Sequence, residues 1–166
     1  PIVYATYVEG DISAPQSPVI KDVTDYGFQI KLEVLASGAT VVNATVYWIA
    51  VNSGVHTFNG YTIEAGTIST TKYVFEGSSN DWETITFAGS YSSTPIVLAI
   101  PQTFKNGLWF QGAVKEVSTT SAKVSLEAAG SGNVPSKAEV LGYIVVDNNV
   151  HTEFLYSYRT SDSVKG

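Results

Sequence analysis

The sequence predicts an all-β chain built as two tandem antiparallel β-sandwich units, related by an internal repeat of about 95 residues. Three observations carry that reading. Short segments recur in one order at near-constant spacing, apolar and polar residues alternate with a period of two, and no long window keeps a helical period. Composition agrees: 12% of residues are aromatic and only 14% charged, which suits half-buried pleated surface and not a disordered chain.

The first unit is expected over 1–70. It opens on Pro1-Ile2-Val3-Tyr4 and continues through Lys21-Asp22-Val23 to a turn at Asp25-Tyr26-Gly27. Phe28, Ile30, Leu32 and Val34 then alternate with Gln29, Lys31 and Glu33, the pattern of a half-buried strand. After a turn at Ser37-Gly38, the run Val46 to Val51 is apolar at nearly every position and predicts a central strand covered on both faces. Val55-His56-Thr57 and the turn Asn59-Gly60 follow.

The second unit is expected over 71–166. Past Gly77-Ser-Ser-Asn80, the run Trp82 to Phe87 alternates cleanly and predicts an opening strand over 82–87. Pro95-Ile96-Val97, Lys115-Glu116-Val117 and Ser121 to Glu127 repeat first-unit segments 94 positions earlier. Leu141 to Asp147 repeats Val46 to Asn52, and Val150-His151-Thr152 repeats Val55-His56-Thr57, both at 95. One inserted residue between about 132 and 141 accounts for the slip. Asn106-Gly107, Gly130-Ser131-Gly132 and Asn148-Asn149 supply the turn signals between strands.

The second unit has a strand ahead of its Pro-Ile-Val, whereas the first starts at Pro1. The first unit is therefore expected to lack its opening strand, leaving Pro1, Ile2, Val3 and Tyr4 beside an open edge that invites pairing. Two fillers are open: a strand of the same chain such as Glu153 to Arg159 folding back, or a strand of a neighbouring subunit. The second makes assembly obligatory and, head to tail, gives a filament.

A net charge of −6, with no basic cluster, argues against a nucleic-acid partner. The longest nearly uncharged stretches are broken by Gly, Asn and Ser, so membrane insertion is not expected. With no Cys and no Met, the chain has no disulfide and no thiolate. A start at Pro1 fits signal-peptide removal, which places the chain outside the cell, on a cell or virion surface.

Candidate chemistry is sparse. His56 and His151 can be paired ligands or pH-sensitive groups, but no further ligand sits at metal spacing, and capping of equivalent turns is favoured. There is no Gly-x-Ser-x-Gly elbow or phosphate loop, and Gly10-Asp11-Ile12-Ser13 reads as a turn. Glu33 and Glu127 offer two carboxylates for glycoside hydrolysis, yet both fall on polar strand faces. Asp147-Asn148-Asn149 and Asn80-Asp81 match no calcium loop, and Asn43-Ala44-Thr45 is a glycosylation triplet. No catalytic residue, metal site or cofactor is expected. Exposed aromatics are the candidates that remain: Trp109 and Phe110 after Asn106-Gly107, and Phe154, Tyr156 and Tyr158 on alternate positions of the last strand. Such rings can stack sugars, bury themselves in a partner, or face their own core.

The run Trp82 to Val97 with Tyr143-Ile-Val-Val146, and Val46-Tyr-Trp-Ile-Ala50 in the first unit, resembles the H-type lectin domain and related modules of phage tail fibres and bacterial surface proteins. That resemblance implies a six-stranded antiparallel sandwich, trimers or hexamers, and, in true lectins, N-acetylgalactosamine-type sugars at subunit edges. It assigns no sugar-contacting residue in this chain.

The leading expectation is a non-catalytic extracellular subunit that assembles with copies of itself into a filament or fibre by strand complementation. The alternative is a lectin-like adhesion module that binds cell-surface glycans.

Overall fold

The computed structural model describes residues 1–8, 16–34, 44–75, 81–130 and 132–148. These residues form an all-β structure of several sheets, with no helix among them. The strands in chain order are β1 (Ile2–Val8), β2 (Gln16–Thr24), β3 (Gly27–Val34) and β4 (Thr45–Val51). There follow β5 (Gly54–Phe58), β6 (Tyr61–Thr70), β7 (Tyr73–Val74) and β8 (Glu83–Thr86). Last come β9 (Ile96–Pro101), β10 (Phe110–Lys115), β11 (Ser121–Ala128) and β12 (Glu139–Val146).

Turn chemistry sets the local hairpins. Asp25-Tyr26 joins β2 to β3 and leaves Tyr26 fully exposed. Asn59 and Gly60, at φ 49° and 82°, make the two-residue turn between β5 and β6 that matches the right-handed strand twist.

Pairing gives two ribbons and two larger sheets. β1 pairs antiparallel with β4, Ile2 opposite Val51, and β2 with β3, Gln16 opposite Val34. One four-stranded sheet runs β5-β6-β12-β9, with Ile96 opposite Val146. In the other, β11 pairs antiparallel with β10, Phe110 opposite Ala128, while β8 pairs antiparallel and β7 parallel with the same β11. The division expected at 70/71 falls directly after β6, yet β6 is bonded into the sheet of β12 and β9.

Alternation then stacks the sheets. Leu141 and Val145 of β12 and Ala99 of β9 meet Ala122, Val124, Leu126 and Ala128 of β11, with Ile85, Phe87, Tyr91 and Phe110, in the largest core. The opposite face of β12 presents Ile144, which packs with Ala65 of β6 and Ile2 of β1. Val3 and Ala5, one step along β1, turn the other way to Ile20 of β2 and Ile100 of β9. β1 is thus covered on both faces, between the β2–β3 ribbon and the four-stranded sheet of β12.

The two apolar runs expected to be doubly buried part company here. β12, flanked by β6 and β9, is buried or half-buried throughout. β4 is not: among the described residues it has a strand on one side only, and five of its seven residues are exposed. An apolar run is buried on both faces only where layers lie over both, and the covering layers centre on β1.

Candidate assembly edge

β4 places three large apolar side chains in succession at the surface. Tyr47, Trp48 and Ile49 are 57%, 56% and 47% exposed. Trp48 rests edge-on against Phe28 of β3, with ring centroids 5.0 Å apart, while Val46 and Val51 anchor the strand's ends in the cores on either side of β1. Val55 and Phe58 of β5 are exposed as well.

The backbone of β4 has a defined polarity across the strand. Val3 is opposite Ala50, and Val3 turns its N–H and C=O away from β4, to the side-chain amide of Gln102. Antiparallel pairs alternate in this respect, so Val46, Trp48 and Ala50 direct their own N–H and C=O outward, away from β1. Among the described residues no strand pairs with that outer edge.

The residues expected to border the open edge sit differently. Ile2 and Val3 are 3% and 0% exposed, and Pro1 and Tyr4 are half-buried. Ile2, Val3 and Tyr4 pair with Val51, Ala50 and Ile49. At Val3 the other side is closed too: Gln102 accepts from the Val3 N–H at 2.9 Å and donates to its carbonyl at 2.7 Å. Among the described residues, the open edge of this ribbon lies on β4.

Of the expected exposed aromatics, Trp109 and Phe110 are turned inward. Phe110 opens β10 opposite Ala128 and is 5% exposed within the largest core. Trp109 is half-buried, and its indole N–H is buried without a hydrogen-bond partner in the structure. The Asn106-Gly107 turn does not push these rings outward, and Asn106 is itself held down. Its amide oxygen accepts from the Ser136 and Lys137 N–H groups, and its amide nitrogen donates to Glu139. Phe154, Tyr156, Tyr158 and His151 lie outside the described residues.

Other candidates resolve into structure. His56 Nε2 bonds the Asn52 carbonyl at 2.8 Å, bridging the β4–β5 turn. Glu33 forms an ion pair with Lys31 at 2.9 Å, and Glu127 is exposed. Asn43 and Asn80 lie outside the described residues, as does Gly10 to Ser13. No group of three or more His, Cys, Asp or Glu among the described residues is placed to hold a metal ion. No helix among them is long and apolar enough to cross a membrane. A cleft of about 430 Å³ lies beside Pro1, Asp22, Asp25, Thr67, Gln102 and Val140.

Two buried carboxylates escaped sequence reading. Glu139, 1% exposed, accepts from the Thr103 hydroxyl, from the Lys105 and Asn106 N–H groups at 2.8 and 3.0 Å, and from the Asn106 amide at 2.7 Å. Glu64, 4% exposed, accepts from the Ala88 and Gly89 N–H groups at 2.9 and 2.8 Å. Each ties a loop to a strand. Next to Glu64, burial first and the Glu64 charge second push the Tyr91 phenol up to about 12, and the same causes raise that of Tyr143.

No family model, curated protein or solved structure matches the chain.

Proposed function

We propose that the chain is a non-catalytic structural subunit that assembles with copies of itself into an extracellular filament or fibre, by adding strands edge to edge. The observation that carries this reading is the outer edge of β4. It offers outward N–H and C=O groups at Val46, Trp48 and Ala50 together with the exposed Tyr47, Trp48 and Ile49. A strand edge of this length and apolarity, with no strand on it among the described residues, is a template for another strand.

The same reading takes the chain as two copies of one sandwich unit, cut out of frame. Strand registers support it: moving Ile2–Val51 by 94 and 95 gives Ile96–Val146, and moving Gln16–Val34 by 94 gives Phe110–Ala128. Asp22 and Glu116, also 94 apart, both take positive φ, at 53° and 49°, each ion-paired to the lysine before it. Such φ values are uncommon for residues other than glycine.

Sedimentation velocity and negative-stain microscopy over a concentration series test the proposal. Elongated, concentration-dependent assemblies are expected, and a chain that stays monomeric throughout would overturn it. A carbohydrate-binding reading draws on the same Tyr47 and Trp48 rings, since sugars stack on exposed aromatics. A monomer whose glycan-array binding disappears in Trp48→Ala would favour that reading instead.

A further inference from the structure

We propose that residues 158–164 of one copy of the chain pair antiparallel with the outer edge of β4 in the next copy, Tyr158 opposite Val51 and Thr160 opposite Ile49. This rests on the reading of the chain as a self-assembling subunit, and it names the donor and the acceptor.

β4 and β12 hold corresponding places. β12 pairs with β9 in the register in which β4 pairs with β1, once 94 and 95 are added to the residue numbers. On its other side β12 receives β6, with Ile63 opposite Val146 and Ile68 opposite Leu141. β4 receives nothing on that side among the described residues.

How the chain fills the edge of β12 tells what fills the edge of β4. β4 passes through Asn52 and Ser53 into the β5–β6 hairpin, and this hairpin does not turn back to β4. It goes forward to β12, so the chain already hands a strand from one unit to the next. After β12 the same sequence marker returns: Val150-His151-Thr152 stands 95 residues beyond Val55-His56-Thr57. The same shift aligns Tyr158 with Ile63 and Lys165 with Thr70. Carried along with it, the pair Ile63–Val146 becomes Tyr158–Val51. A strand handed forward from the second unit arrives at the first unit of another copy.

The pairing is chemically consistent. Arg159, Ser161 and Ser163 would bond the outward groups of Ala50, Trp48 and Val46. Tyr158 beside Val51 is an aromatic and β-branched cross-strand pair of the favoured kind.

Because the chain has no cysteine, the contact can be read by a disulfide. Ile49→Cys and Thr160→Cys are made in separate full-length copies, mixed and oxidised. A covalent dimer joining the two variants is expected, with little from either variant alone, since these positions would face each other at bonding distance. A second variant, Ser161→Pro, should raise the concentration needed for assembly about tenfold or more, by removing the N–H that would bond Trp48. Its far-UV circular dichroism and melting temperature, read below the assembly concentration, should match the parent. Assembly of the parent that persists in Ser161→Pro, with no covalent dimer between the Ile49→Cys and Thr160→Cys copies, overturns this donor and leaves the assembly reading intact. An Ile49→Cys, Thr160→Cys double variant that closes within one monomer overturns it in favour of fold-back. A parent that never assembles overturns both.

Discussion

At the scale of single residues, the structure depends on polar groups buried at the joins between strands and loops. Glu139 takes four donors into a site that is 1% exposed. Glu139→Ala leaves those donors without an acceptor and should cost about 3 kcal/mol in a denaturant melt. Tyr91 is the reverse case, a 7% exposed phenol whose hydroxyl finds no partner in the structure. In the folded chain it stays neutral up to about 12, whereas an unfolded tyrosine ionises near 10. Its folded pKa is the higher one, so its contribution is complete below about pH 10 and is lost as pH rises through 12. Tyr91→Phe should therefore flatten the decline in melting temperature over that alkaline window, and raise stability at neutral pH by about 1 kcal/mol. Tyr143 keeps part of the decline in place, since its pKa is raised too. None of this was legible in the sequence. Alternation says which face a side chain takes, but Glu64 and Glu139 are satisfied by N–H groups 24 to 34 residues away, brought in by loops whose path has no periodic signature.

Single strands behave according to what lies beside them more than according to their composition. Val46–Val51 and Leu141–Val146 read alike as apolar runs, yet one ends as an exposed edge and the other as the centre of a sheet. Strand identity, hairpin turns and alternation at β3, β8 and β11 were legible because they are local properties of the chain. The neighbours of β4 were not, since they depend on which layer reaches how far. Likewise Trp109 and Phe110 follow a turn signal, but whether a ring after a turn points in or out depends on the strand pairing beyond it, here Phe110 opposite Ala128. Placing a charge on the exposed edge tests its role with little effect on the core. Ile49→Lys should abolish assembly in sedimentation velocity and shift the melting temperature only slightly, by under about 0.5 kcal/mol in stability terms. A lysine on a strand edge is a device that natural sheets use against pairing.

For the molecule as a whole, the chain stacks its sheets so that β1 is enclosed by both ribbon and sheet. Copies of a chain carrying −6 repel one another. If they join through apolar contact and main-chain bonds, screening must help. Raising salt from about 20 to about 150 mM shortens the Debye length to about 8 Å and should lower the concentration at which assemblies form. Light scattering across a salt series checks this, and assembly weakened by salt would point to ion pairs as the joint.

Gln102 gives the ribbon a further property. Its side-chain amide occupies the hydrogen-bonding groups of Val3 that another strand would need. A side chain has no next residue along a strand, so the ladder stops there. If copies join as proposed, growth is confined to one flank of the ribbon, and the fibre is polar, with two unlike tips. One tip would then display the outer edge of β4 and the other the proposed donor segment, so the two could be blocked one at a time.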